Sequence, residues 1–213
     1  MINPNITASK IADNLLRIKA VKLSPETPYI WASGWKSPIY CDNRKTMSYP
    51  DVRAILRDGF VKTIDQKMPA PDVIAGVATG GIGIGALVAE KMGLPFIYIR
   101  SSAKNHGMQN LIEGVLTEGQ KVVVIEDLVS TGKSSLQAVE AIREAGGKVI
   151  GMSAIFTYGF EVAIKAFEKA NCKLYTLTDY NILIKRAIAA KYIDKRDLKT
   201  LIEWRLVPDK WKK

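Results

Sequence analysis

The sequence predicts an α/β fold: an open twisted, mainly parallel sheet flanked by helices. Short continuous apolar runs rich in Val and Ile, among them DVIAGV, PFIYI and KVVVI, read as strands buried on both faces. Segments with apolar residues at helical spacing lie between them, and that alternation argues a parallel sheet with right-handed crossovers. At 213 residues, with 47% hydrophobic and 24% charged residues, the chain has the size and composition of one globular domain with a substantial core.

In chain order, residues from about 6 to 21 read as a helix, with Ile11, Leu15, Leu16 and Ile18 apolar. The irregular, aromatic stretch ETPYIWASGWKSPIYCDNRKTMSYP follows. In it YIWAS and PIYCD predict short strands joined through Ser33-Gly34-Trp35-Lys36. Such a hairpin suits a binding flap, or a surface hairpin that buries Trp31 and Tyr40. Residues 49–67 read as a helix with Pro50 in its first turn. DVIAGVATGGIGIGALVAEKMG is then strand, glycine turn and helix.

Within it, residues 81–86 fit GxGxxA, a weak dinucleotide fingerprint that calls for an acid at the end of the next strand. That strand, PFIYIR, ends in Arg100, which weighs against NAD and leaves NADP open. The other reading is that Thr79, Gly80 and Gly81 present backbone N–H groups to an anion. A long loop follows, at about residues 100–119. It carries Arg100, Lys104 and the only histidine, His106, beside Gly107. Long loops in compact domains are usually functional, and a cationic, glycine-hinged one is a candidate lid over an anionic substrate. The C-terminal third predicts a strand in KVIGMSAIFTYG and a helix around Glu161–Lys169. KLYTLTDYNILI is then a strand running into a helix capped near Thr178 or Asp179. Asp194 can cap a last helix ending near Arg205.

The net charge is +10. A positive field of that size speeds the approach of a small polyanion, and nucleic acid is the competing partner. The basic residues form no long block and have no aromatic interleaving, so nucleic acid ranks second. No apolar run reaches the length of a membrane span. No basic n-region with an apolar core opens the chain. The two cysteines, Cys41 and Cys172, lack metal-ligand spacing and read as free thiols of a cytoplasmic protein.

The densest chemistry lies in residues 122–135, VVVIEDLVSTGKSS. An apolar strand ends in two acids, Glu126 and Asp127. A Ser/Thr/Gly turn then opens the helical pattern LQAVEAIREAG, with Ser130 or Thr131 as candidate cap and Gly146 or Gly147 as candidate stop. Backbone N–H groups of residues 130–134 would converge at the positive end of that helix, which makes a phosphate site. A Walker A loop is excluded, because its first glycine would fall on Asp127. Two carboxylates beside a phosphate cradle would repel the phosphate unless they face something else. Ribose hydroxyls are suitable partners, so the segment points to a phosphorylated sugar.

Those residues carry a resemblance. A hydrophobic run, two acids and a Ser/Thr-Gly turn is similar to the 5-phosphoribosyl-1-pyrophosphate (PRPP) motif of type I phosphoribosyltransferases. EDLVSTGKS resembles its orotate phosphoribosyltransferase version. SGWKSPIYCDNR is similar to the N-terminal segment that covers the base in that family, and RSSAKNHG to its catalytic loop, with Arg100, Lys104 and His106 matching. The resemblance implies transfer of phosphoribosyl from PRPP to orotate in pyrimidine nucleotide synthesis. It also implies one domain of residues 1–213, with a hood over 1–48 and an α/β core over 49–213.

The roles it implies fall on named positions. Arg100, Lys104 and His106 contact the pyrophosphate, aided by Thr79, Gly80 and Gly81. Glu126 and Asp127 take the ribose hydroxyls, and Asp127 with Lys104 and His106 is catalytic. Leu128, Val129, Ser130, Thr131, Gly132, Lys133 and Ser134 line the 5′-phosphate, and Ser130 also touches orotate. Magnesium held mainly through PRPP, no direct protein ligand to it, and a homodimer with shared sites are further implications. Some family positions differ: Ser101 follows Arg100, Thr79-Gly80-Gly81 carries no lysine, Ala32 precedes Ser33-Gly34, and FTYG (residues 156–159) lacks an orotate-contacting arginine. Lys36 and Arg44 are candidate replacements. The competing functions are a phosphoribosyltransferase for a purine base and an RNA-binding regulator on the same fold.

Overall fold

The computed structural model describes residues 4–31, 33–101 and 111–212. The central sheet has six strands. They are β5 (Val73–Val77), β6 (Phe96–Ile99), β7 (Ile112–Glu113), β8 (Lys121–Val129), β9 (Lys148–Thr157) and β10 (Leu174–Asp179), in the spatial order β10-β9-β8-β5-β6-β7. All neighbours are parallel except β6 and β7. Both faces are covered, which is why the strands read as unbroken apolar runs. Along β8, Val123 and Ile125 join one buried cluster, while Val122 and Val124 join another. The first lies under α1 (Pro4–Arg17), α2 (Pro50–Lys67), α3 (Gly80–Met92), α6 (Tyr180–Ala189) and α7 (Leu198–Leu206). The second lies under α4 (Lys133–Glu144) and α5 (Glu161–Lys169).

The connections create the site. From β5 the chain passes to β6 on one flank, then crosses to β8 on the other. The sheet therefore switches direction between β5 and β8, and the crevice beyond their carboxyl ends is where such sheets bind ligands. No helix among the described residues is long and apolar enough to cross a membrane.

Several sequence expectations need correction. The first helix stops at Arg17, because Lys19 takes a left-handed conformation and the Ala20 amide returns to the Leu15 carbonyl. The freed residues form β1 (Val21–Leu23), which pairs with β4 (Ile39–Cys41). The expected hairpin is thus divided: β2 (Tyr29–Ile30) pairs with β3 (Lys36–Ser37) instead of with IYC. Pro38 separates β3 from β4, where the Ser37 hydroxyl donates to the Ile39 carbonyl at 2.8 Å. Neither Ser130 nor Thr131 caps α4. Gly132 does, at φ 82°, with no side-chain cap bond. Gly146, at φ 84°, follows the helix end as expected. Asp179 rather than Thr178 caps α6, accepting from the Ile182 amide at 2.9 Å. A 3₁₀ turn over Lys195–Asp197 separates Asp194 from α7.

Candidate active site

Beyond β5 and β8 lies a cavity of about 390 Å³. Its walls come from three segments. The hood gives Cys41, Asp42 and Arg44, the β5–α3 turn gives Ala78, Thr79 and Gly80, and β8 with its turn gives residues 126–128, 130–132 and 134. The amides of residues 130–134 donate to no protein acceptor among the described residues, so they remain available to an anion. The turn is anchored at its base. The Val129 carbonyl accepts from Thr157 Oγ1 at 3.0 Å, which ties the ends of β8 and β9 together.

The acids sit within β8, ahead of its last residue, and their side chains leave opposite faces. Glu126 turns toward α4 and is 4% exposed. Ser135 Oγ donates to its Oε2 at 2.8 Å and the Asp127 amide to its Oε1 at 3.0 Å. Burial, and then the neighbouring Asp127 charge, push its carboxyl well above the usual range. Asp127 turns toward α3 and the hood. Burial raises its carboxyl too, with Arg44 pulling the other way. A buried pair that resists carrying two charges suits neutral hydroxyl donors, which stabilise carboxylates without a second full charge.

The glycines of the β5–α3 turn have a packing reason that sequence reading misses. A Cβ on Gly80 would stand 2.1 Å from Asp127 Cγ, and one on Gly81 would stand 2.4 Å from the Ile125 carbonyl oxygen. The helix start thus lies directly on β8, and the GxGxxA pattern reflects close contact between elements. Of the expected anion turn, Thr79 and Gly80 reach the cavity and Gly81 does not.

The other expected residues divide. Leu128, Ser130, Thr131, Gly132 and Ser134 line the cavity. Val129 is buried in the core, and Lys133 is exposed outside the lining. Arg100 is also outside it: its amide donates to the Leu111 carbonyl and its guanidinium lies 3.4 Å from Glu113. Lys104 and His106 lie outside the described residues. Of the two candidate replacement cations, Arg44 lines the cavity, held to Asp42 Oδ1 at 2.7 Å. Lys36 is exposed on β3 and does not.

A second cavity, about 260 Å³, adjoins the first and shares Cys41, Leu128 and Ser130 with it. Its other walls are Ile30, Trp31, Tyr40 and Tyr158. Trp31 and Tyr158 are 5.2 Å apart between ring centroids, and both rest on Trp204 of α7. The hood only half-buries Trp31 and leaves Tyr40 exposed, against the expected burial of both, and it builds a flat-walled slot beside the turn after β8. The family resemblance already places residues 156–159, and so Tyr158, at the base, whereas no pattern in the sequence links Trp204 to this slot.

Comparison with known proteins agrees with this arrangement. The family model described as a phosphoribosyl transferase domain matches residues 50–177. The orotate phosphoribosyltransferase of Cytophaga hutchinsonii is 55% identical over 204 residues, covering 96% of this chain and 98% of that one. Among solved structures, UMP synthase of Leishmania donovani superposes with a TM-score of 0.78 at 27% identity, over 92% of this chain and 42% of that one. The Mycobacterium tuberculosis orotate phosphoribosyltransferase solved with PRPP shares the fold. Its TM-score is 0.66 at 22% identity, over 83% of this chain and 98% of that one. With a relative this similar along almost its whole length, the chain belongs to the orotate phosphoribosyltransferase family.

Proposed function

We propose that this chain transfers the 5-phosphoribosyl group of PRPP to orotate, giving orotidine 5′-monophosphate and pyrophosphate in pyrimidine biosynthesis. The observation that carries the reading is the pair of joined cavities. One offers free amides and carboxylates to a phosphorylated pentose, and the other offers aromatic walls to a planar base. They meet at Ser130. The anomeric carbon would lie at that junction, where a ring nitrogen of orotate forms its bond as the bond to pyrophosphate breaks.

The described site holds no nucleophile with an adjacent base, so the protein's contribution is positioning and charge stabilisation. Amides of residues 130–134 hold the 5′-phosphate. Asp127 takes the ribose hydroxyls from the open side, backed by Glu126, and its charge stabilises the oxocarbenium character that develops at the sugar. Arg44 supplies positive charge from the hood, either to pyrophosphate or to the orotate carboxylate. An unchanged KM for both substrates after Arg44→Ala would remove it from the site. Arg100, Lys104 and His106 are assigned to the pyrophosphate by family resemblance.

The residues present suit magnesium carried by substrate. The described residues hold no cluster of three or more His, Cys, Asp or Glu side chains able to cage an ion. Both Glu126 oxygens already accept from protein and Asp42 is held by Arg44, so of the three carboxylates lining the cavity Asp127 is the one best placed to reach the ion's hydration shell. When bound, magnesium offsets the charge of the departing pyrophosphate.

Two experiments test the proposal. Pyrophosphate release from PRPP, assayed with orotate, adenine, xanthine, hypoxanthine and uracil, is expected only with orotate. Equal or better turnover with a purine would contradict the base assignment. A homodimer whose loop residue Lys104 serves the partner's site is a further part of the reading. Mixing inactive Lys104→Ala and Asp127→Asn chains and allowing subunit exchange should then restore turnover. Mixed dimers that stay inactive would contradict shared sites.

A further inference from the structure

The hood meets the acidic pair through a side chain that the mechanism above leaves unused. Asn43 opens the 3₁₀ turn Asn43–Ser48 after β4 and is 1% exposed. Its Nδ2 donates to the main-chain carbonyl of Asp127 at 2.6 Å. The sheet explains why a donor is needed there. β5 pairs with β8 as far as Gly76 and Ile125, then ends at Val77 as the chain turns into α3. The carbonyls of Ile125 and Asp127, two residues apart on one strand, project toward the same flank. Gly81 packs against the first. The second lies one rung further, past the end of β5, and Asn43 gives it the donor that a strand no longer provides.

The orientation of the amide follows from its partners. A carbonyl only accepts, so nitrogen faces Asp127 and oxygen faces Cys41, whose Sγ is 3.4 Å from Oδ1. Burial, then the charges of Asp127 and Asp42, hold the Cys41 thiol well above its usual range, so it stays protonated as a donor. Thr46 Oγ1 donates to the Asn43 carbonyl at 2.6 Å and fixes its backbone. The same β4 residue, Cys41, lines both cavities.

We propose that Asn43 is a positioning residue for the transfer reaction: it locks the end of β8 to the hood and so sets where the Asp127 carboxylate meets the ribose. The hood that covers the base and the acid that faces the sugar then share one rigid link. A shift of the Asp127 backbone moves the carboxylate relative to the anomeric carbon without removing any group that touches substrate. The inference rests on the reading that Asp127 acts on the ribose.

The test compares kcat, KM for both substrates and melting temperature in the wild type, Asn43→Ala, Asn43→Leu and Asp127→Asn. The size-matched apolar change Asn43→Leu removes the donor without adding a charge, so it serves where alanine fails to fold; a buried acid there would protonate and regain a donor. Both position-43 variants are expected to be folded at the assay temperature, with kcat lowered about 10-fold or more and each KM within about 3-fold, since small misplacements of a reacting group are costly. Wild-type kcat in either folded variant overturns the proposal, as does a loss seen only in KM or only as unfolded protein. Full kcat in Asp127→Asn would place the failure in the site reading itself. A slow Asp127→Asn beside fast position-43 variants would place it in Asn43 alone.

Discussion

Asp127→Asn is expected to lower kcat by about 10²–10³-fold, the scale for removing one preorganised charge-stabilising group. The substitution keeps the shape of the side chain, which matters because the carboxyl packs against the start of α3 at Gly80. It leaves the main-chain carbonyl that Asn43 holds. What it removes is the negative charge that the proposed mechanism sets against the sugar. Stability should move the other way. Burial raises the Asp127 carboxyl, so the folded chain binds this proton more tightly than the unfolded chain does. The ionised group therefore costs stability at neutral pH. That cost is absent below the ordinary carboxylate range and grows as pH rises through it toward the raised folded value. The variant should accordingly melt at or above the wild-type temperature at pH 7 while turning over slowly. Steady-state kinetics alongside a thermal melt reads both quantities. A variant that loses activity only because it unfolds would contradict the assignment.

Trp204→Ala is expected to destabilise the chain by about 3–5 kcal/mol, the range for truncating a buried aromatic residue. Trp204 is fully buried and contacts Trp31, Tyr158, Phe160 and Tyr180, with ring centroids 5.3–5.6 Å away. Two of those partners, Trp31 and Tyr158, are walls of the proposed base slot. Any variant chain that stays folded should therefore show a raised KM for orotate and a smaller change for PRPP. Trp204→Phe separates packing from hydrogen bonding. The indole Nε1 has no hydrogen-bond partner among the described residues, so phenylalanine gives up volume but also an unsatisfied donor. Its loss should be well below that of alanine. Denaturant melts of the two variants check the ordering, and equal losses would contradict it.

The parts of this molecule that were legible in the sequence are those set by local pattern. The strands of the parallel core announce themselves because both faces are covered, leaving continuous apolar runs. The turn after β8 announces itself because two acids, a Ser/Thr-rich turn and a helix pattern follow one another without a gap. The hood was half legible. Its aromatic content showed, but the pairing did not, because Pro38 bends the chain between β3 and β4 and the first helix ends early enough to free β1. Gly80 and Gly81 are legible as a glycine turn, but their packing constraint is not: it comes from the Asp127 side chain and the Ile125 carbonyl, both distant in sequence. Trp204 carries no signal, and Asn43 only its place in the hood segment. Each acquires its place from a partner on another element, a carbonyl left beyond the end of β5 and an aromatic cluster assembled from four segments.

A crystal structure with PRPP bound tests most directly whether the end of β8 grips a phosphorylated pentose. The 5′-phosphate oxygens should lie about 2.7–3.2 Å from the amides of residues 130–134, with the ribose hydroxyls against Asp127 and the leaving pyrophosphate toward Thr79, Gly80 and Arg44. A phosphate seated elsewhere, with those amides still facing solvent and Asp127 touching no part of the sugar, would contradict it.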